Sequence, residues 1–132
     1  MNIIIKNIKT KSQIIFSLAL QKIRELKQNS TKTEELDKYY SYIRSLPSLI
    51  VFNGLIPTLL FYKSKREKVY EHLCFVLENI FEYYKQFKRN NPNKDLLDYL
   101  ATLDTNILRL LTNDIFLISL YLKRVAESEL KN

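Results

Sequence analysis

An all-helical fold is what this sequence predicts, and three observations carry the prediction. The 132 residues include one glycine and three prolines, too few turn-formers for a sheet with its hairpins. Hydrophobic residues make up 46% of the chain, enough for one buried core at this length. Apolar residues also recur at steps of three and four along most of the chain, which places them on one face of a helix. The expected build is therefore a single helical domain over residues 1–132, a bundle of about six helices with the third kinked or broken near Gly54–Pro57. Residues 1–10 precede the first periodic segment and are expected to be a flexible N-terminus.

The first helix is expected from about Lys11 to Gln28, with Ile15, Ala19, Ile23 and Leu26 on its inner face. Asn29 and Ser30 interrupt it. Thr31 with Glu34 reads as a capping box for the second helix, hydroxyl and carboxylate each reaching a backbone amide that the first turn leaves unpaired. That helix is expected to turn Leu36, Tyr40 and Ile43 inward and to stop near Leu46, because Pro47 disfavours the helical region for the residue before it.

The stretch from Leu46 to Tyr62 contains no charge. Pro47, Asn53, Gly54 and Pro57 interrupt it, and it falls short of the roughly 20 apolar residues a membrane span needs. It is read as the central core element, apolar nearly all round. Pro57 cannot donate to Asn53 and its ring would crowd that carbonyl, so a break is expected at Asn53–Gly54.

Ser64 with Glu67 reads as a second capping box, opening a fourth helix whose Val69, Leu73, Val76, Ile80, Tyr84 and Phe87 keep strict helical spacing. Asn90–Asn91 end it. Pro92 suits a first turn, and Asp95 to Ala101 make a short fifth helix. Asp104 or Thr105 caps a sixth, reaching about Leu130. Its Ile107, Leu110, Leu111, Leu117, Ile118, Tyr121, Leu122 and Val125 cover more than one face, so it is expected to be largely enclosed.

Little in the chain points to catalysis. The one histidine, His72, and the one cysteine, Cys74, are two residues apart, which on a helix directs them about 200° from each other. His72 is read as a surface or boundary residue and Cys74 as a small packed hydrophobe. A lone cysteine forms no internal disulfide and suits a reducing compartment. Glu71, Glu78 and Glu82 lie among Lys68, Lys85 and Lys88 and read as a solvated, salt-bridged face. No metal-ligand spacing and no glycine-rich phosphate loop occur. The expectation is a protein that is not an enzyme, with no cofactor, no metal and no small-molecule substrate.

Charge is the positive signal. Lys and Arg number 21 against 14 Asp and Glu, a formal net charge of +7, compatible with a polyanionic partner. Lys63, Lys65, Arg66 and Lys68 crowd the expected start of the fourth helix, where cations oppose the helix dipole and an anion would relieve them. Lys123 and Arg124 form a second cationic step. Of the nine tyrosines, Tyr39, Tyr40 and Tyr42 cannot all point inward, nor can Tyr83 and Tyr84, so some are free to line a contact surface.

The words Tyr42 to Lys65, YIRSLPSLIVFNGLIPTLLFYKSK, resemble the small subunit of the type III-B (Cmr-type) CRISPR RNA-silencing complex. The resemblance rests on Leu46–Pro47, Asn53–Gly54–Leu55 and Ser64–Lys65. Asp95 to Leu100, Asp104, Arg109, Thr112 and the ending from Tyr121 to Leu130 are similar to that family's closing helix. The chain departs from the pattern in having Leu108 before the arginine in place of tyrosine, Asp114 in place of glutamate and Tyr121 in place of tryptophan. The resemblance implies a non-catalytic, cytoplasmic subunit of an antiviral ribonucleoprotein. Several copies stack beside the other subunits and line the groove that holds the guide–target RNA duplex, with no membrane contact. Clustering at expected helix ends, with Lys65 and Lys123–Arg124 also at motif positions, makes Lys63, Lys65, Arg66, Lys123 and Arg124 the expected contacts to the RNA backbone. The other readings are a helical protein–protein adaptor with incidental positive charge, and the small subunit of the sister type III-A complex; a small hydrolase and a helix-turn-helix DNA reader fit less well.

Overall fold

The computed structural model describes residues 9–30, 32–65, 67–80 and 95–131. Among them are six helices and no strand: α1 Lys11–Asn29, α2 Thr33–Asn53, α3 Leu55–Lys65, α4 Glu67–Glu78, α5 Leu96–Leu100 and α6 Thr105–Glu129. The fold is all-α, as expected. Within the described residues no helix is long and apolar enough to cross a membrane. The flexible N-terminus expected over residues 1–10 lies mostly outside the described residues, as do Thr31, Arg66, the Tyr83–Tyr84 pair, and the expected Tyr84–Phe87 end of the fourth helix with its Asn90–Asn91–Pro92 stop.

α1 opens on a capping box that sequence reading passed over. Thr10 Oγ1 accepts from the Gln13 amide at 3.0 Å, and Gln13 Oε1 accepts from the Thr10 amide at 2.8 Å. Ile15, Ala19, Ile23 and Leu26 are buried as predicted. α2 is entered from Lys32 with no side-chain cap, one residue after the Thr31 predicted to cap it. Ser64 lies inside α3 and its hydroxyl donates to the Phe61 carbonyl at 2.8 Å. Asp104 caps α6, accepting from the Ile107 amide at 3.0 Å.

α2 does not stop at Leu46. It runs through Pro47, which is buried inside the helix. The core face of α2 is Tyr39, Ile43, Leu46, Pro47 and Ile50, a stripe that continues across the proline, so packing on both sides holds the helix where local preference would end it. Tyr39 therefore takes the core position predicted for Tyr40, and Leu36 and Tyr40 pack half-buried at its edge. The Tyr62 hydroxyl donates to the Tyr42 carbonyl at 2.6 Å, beside the Ile43 carbonyl that the proline deprives of an amide.

The predicted break comes at Gly54, the one residue with positive φ among those described, at +89°. Any side chain there would be strained. Its amide closes α2 on the Ile50 carbonyl at 3.0 Å, and α3 starts at once. Pro57 then sits in the first turn of α3, where no intrahelical amide is missed. The Thr58 hydroxyl donates back to the Leu49 carbonyl at 2.9 Å and ties the two helices at the corner.

α6 packs chiefly along α1 and α2 and also touches α4, while α3 packs on α2, α4 and α5. One apolar core draws on all six helices. α6 contributes Leu111, Ile115, Ile118, Leu122, Val125 and Ala126 to it, and the start of α1 is pinned to α6 by Lys11 Nζ on Asp114 Oδ1 at 2.8 Å.

Two expectations about enclosure fail. α6 buries one stripe and leaves Leu110 exposed. The apolar stretch around Gly54 is only half a core element: Leu55, Leu59 and Tyr62 are buried, but Val51 is 64% and Phe52 83% exposed, with Leu60 and Phe61 also in solvent. The sharp corner turns part of an all-round apolar surface outward, where none of the described residues covers it.

Candidate nucleic-acid interface

The cations singled out from sequence fall into two groups on different elements. Lys63 and Lys65 occupy the last turn of α3, where positive charge suits the helix dipole. Lys65 also lies two residues before the start of α4 at Glu67, with Lys68 in the first turn of that helix. Lys63 is also engaged. Its Nζ lies 2.8 Å from Asp95 Oδ2, and the Tyr70 hydroxyl donates to the same carboxylate at 2.8 Å. Asp98 Oδ2 accepts from the Asp95 amide at 3.4 Å, so Asp95 gathers α3, α4 and α5 at one point. Burial pushes the Asp95 carboxyl up, but the bonds from Lys63 and Tyr70 outweigh it and hold the group below its usual range. The hydrogen bond to Asp95 in turn raises Lys63. Lys65 is exposed and has no carboxylate partner among the described residues; Arg66 lies outside them.

Lys123 and Arg124 are neighbours in sequence but face different grooves, because consecutive helical residues diverge by about 100°. Arg124 reaches Glu127 at 3.2 Å and borders a groove of about 580 Å³ between α1 and α6, walled by Phe16, Leu20, Leu117, Leu120, Tyr121 and Val125. The rings of Phe16 and Tyr121 stand 6.5 Å apart. Arg24 Nε on Glu129 Oε1 at 3.1 Å borders it as well. Charges border this groove only in pairs.

Lys123 lines a second groove, of about 550 Å³, between α2 and α6, together with Tyr40, Ser41, Arg44, Ser45, Ser48 and Leu49. The Arg44 guanidinium lies over the Tyr40 ring, 5.4 Å from its centroid. Among the described residues no carboxylate lines this groove. Sequence reading missed Arg44 and the serines, although Ser41, Ser45 and Ser48 are spaced by four and three; ending the helix at Leu46 hid the stripe.

Of the other residues carried by the family-like words, Leu46, Pro47 and Leu55 are core, Gly54 makes the corner, Asn53 is exposed beside it, and Tyr121 walls the apolar groove. His72 is buried, contrary to expectation, with Nδ1 2.6 Å from the Tyr39 hydroxyl. The pair joins α2 to α4, and burial pushes the Tyr39 phenol far up. Cys74 is buried. Within the described residues no group of three or more His, Cys, Asp and Glu side chains could hold a metal ion.

The model of the Cas_Cmr5 family, described as CRISPR-associated protein, matches residues 11–129, from the first residue of α1 to the last of α6. The chain belongs to the Cas_Cmr5 family. This is the small-subunit family of type III-B, Cmr-type complexes, so the resemblance carried by Leu46–Pro47 and Asn53–Gly54–Leu55 points the right way. Membership gives the chain a place in a CRISPR effector complex beside other subunits. No curated protein matches the sequence. The Cas_Cmr5 match spans both grooves and the Gly54 corner.

Proposed function

We propose that this chain is a non-catalytic structural subunit of a Cmr-type CRISPR effector complex in the cytoplasm. It stacks in several copies and lines the groove of the guide–target RNA duplex through sequence-independent phosphate contacts, in antiviral defence. The observation that carries the reading is the Cas_Cmr5 match over residues 11–129. The net charge of +7 supports an RNA neighbour. Two unlike apolar surfaces, the Val51–Phe52 corner and the α1–α6 groove, support head-to-tail stacking, which needs unlike faces that do not close on each other.

Of the sequence-named cations, Lys65 and Lys123 suit phosphate best, since Lys63 and Arg124 already hold carboxylates. Three or four phosphates neutralised per copy predict a log–log salt slope of roughly −2 to −3. The test is to purify a tagged copy gently from its native host and to identify what accompanies it. Effector subunits with a short guide RNA are expected. Recovery with unrelated proteins and no RNA would overturn the reading in favour of a protein-only adaptor, whose basis would be the same exposed Phe52 and Val51.

A further inference from the structure

We infer that the groove between α2 and α6 is a phosphodiester-binding site, in which Arg44 and Lys123 take phosphates of an RNA strand and Ser41 and Ser48 supply hydroxyl donors. The inference rests on the RNA-lining function proposed above and narrows it to one surface, with Arg44 and the two serines added to what sequence suggested.

Four features carry it. First, compensation is uneven among the described residues: Lys11, Lys22, Arg24, Lys63 and Arg124 each lie within 4 Å of a carboxylate, whereas none of the described residues lining the groove that holds both Arg44 and Lys123 is a carboxylate. Two like charges in one carboxylate-free concavity raise the local potential and favour an anion. Second, Lys123 stands in α6 before the last turn, which contains no basic residue, so the helix dipole does not account for it. Third, Ser41, Ser45 and Ser48 line the same concavity on one face of α2. Only Ser45 spends its hydroxyl internally, on the Ser41 carbonyl at 3.3 Å, so the others remain available to phosphate oxygens. Fourth, Arg44 lies over the Tyr40 ring, which orients the planar guanidinium and lowers the ordering cost of a two-pronged phosphate contact.

The same features exclude other ligands. With a polar wall and a volume of about 550 Å³ open along the helices, the groove does not enclose an apolar ligand. Among its described lining residues are no Asn or Gln side chains of the kind that pair with adenine. A repeating anionic backbone, bound without regard to sequence, fits what is present.

The test uses the full chain, labelled with ¹⁵N, at low salt. It is titrated first with inorganic phosphate and then with a short duplex RNA of arbitrary sequence. Amide shifts are expected in residues 40–49 and 120–126 with both probes. Arg44→Ala with Lys123→Ala should weaken RNA binding about tenfold and flatten the salt slope by roughly 1.5, at 0.7 to 0.9 per phosphate lost. Arg44→Lys should restore part of the affinity, and Lys65→Ala with Arg124→Ala should leave the groove shifts in place. RNA that binds with shifts elsewhere, unaffected by the groove double variant, would overturn this site while leaving the RNA-lining function standing. A chain that shifts with neither probe, yet copurifies with effector subunits, would overturn both the site and direct RNA contact. Unchanged circular dichroism of each variant guards against misfolding as the cause.

Discussion

The two grooves beside α6 have nearly the same volume, about 580 and 550 Å³, and opposite chemistry. Towards α1 the wall is Phe16, Leu20, Leu117, Leu120, Tyr121 and Val125, and the charges at its border are neutralised in pairs. Towards α2 the wall is hydroxyls and two cations that no carboxylate among the described lining residues answers. One helix thus carries an apolar face suited to protein and a cationic face suited to phosphate, on either side of a buried stripe. The contrast shows why net charge alone says little about a binding site: Arg124 and Lys123 count equally towards +7, but only Lys123 lies in an uncompensated concavity.

The stripe between the grooves offers the most drastic way to break the comparison. Leu122 is fully buried, and Leu122→Ala should destabilise the fold by about 2 to 5 kcal/mol, through lost burial and the cavity left behind. Both grooves should then fail together, as denaturant unfolding and RNA titration would show. An unchanged midpoint would mean that α6 is held by other contacts.

The next test separates the faces. Leu120→Asp places a charge in the apolar wall and should weaken self-association of the chain by on the order of tenfold or more, since a buried unpaired carboxylate opposes any apolar partner. Sedimentation over a concentration series reads this. Phosphate-induced shifts in the α2–α6 groove should be unaffected; if they vanish too, the grooves are not independent.

A smaller effect is expected at the Asp95 junction, away from both grooves. Tyr70→Phe removes a buried donor from the carboxylate and should cost about 1 kcal/mol. The native Asp95 titrates below its ordinary value of 3.8, so its contribution is complete above that pH and is lost as pH falls through the lowered native value. Lys63 titrates above its ordinary 10.5, so its share is complete below that pH and is lost as pH rises through the raised native value. Melting curves at acid, neutral and alkaline pH should therefore lose their Asp95–Lys63 component at both extremes. In Tyr70→Phe the acid loss should begin at higher pH.

The smallest effect is expected for Arg24→Ala at the edge of the apolar groove. The pair with Glu129 is solvent-screened, so melting temperature should hardly move. A large drop would show that the pair closes the groove and does more than border it.

Much of this architecture was legible in sequence because it is local. The face Ile15–Ala19–Ile23–Leu26 needs only helical spacing, and the Asp104 cap and Gly54 break depend on one or two residues each. Thr10–Gln13 was equally readable and was overlooked. The misreadings share one cause. Pro47 reads as a stop on local grounds, which shortens α2 and hides the Ser41–Ser45–Ser48 stripe. Ser64 likewise looks like a cap until the α3 turn around it is seen to be already formed.

The sequence by itself determined an all-helical chain of this family with a basic surplus, because periodicity, scarce glycine and family-like words are properties of neighbouring residues. Tertiary structure alone decided which cations are spoken for. Lys63 meets Asp95 across 32 positions of chain and Arg24 meets Glu129 across 105, while Arg44 and Lys123 meet no carboxylate among the described residues in a groove that exists only once α2 lies along α6. The physical reason is range: helix propensity acts over one or two turns, whereas charge compensation depends on which distant side chains packing brings within a few ångströms.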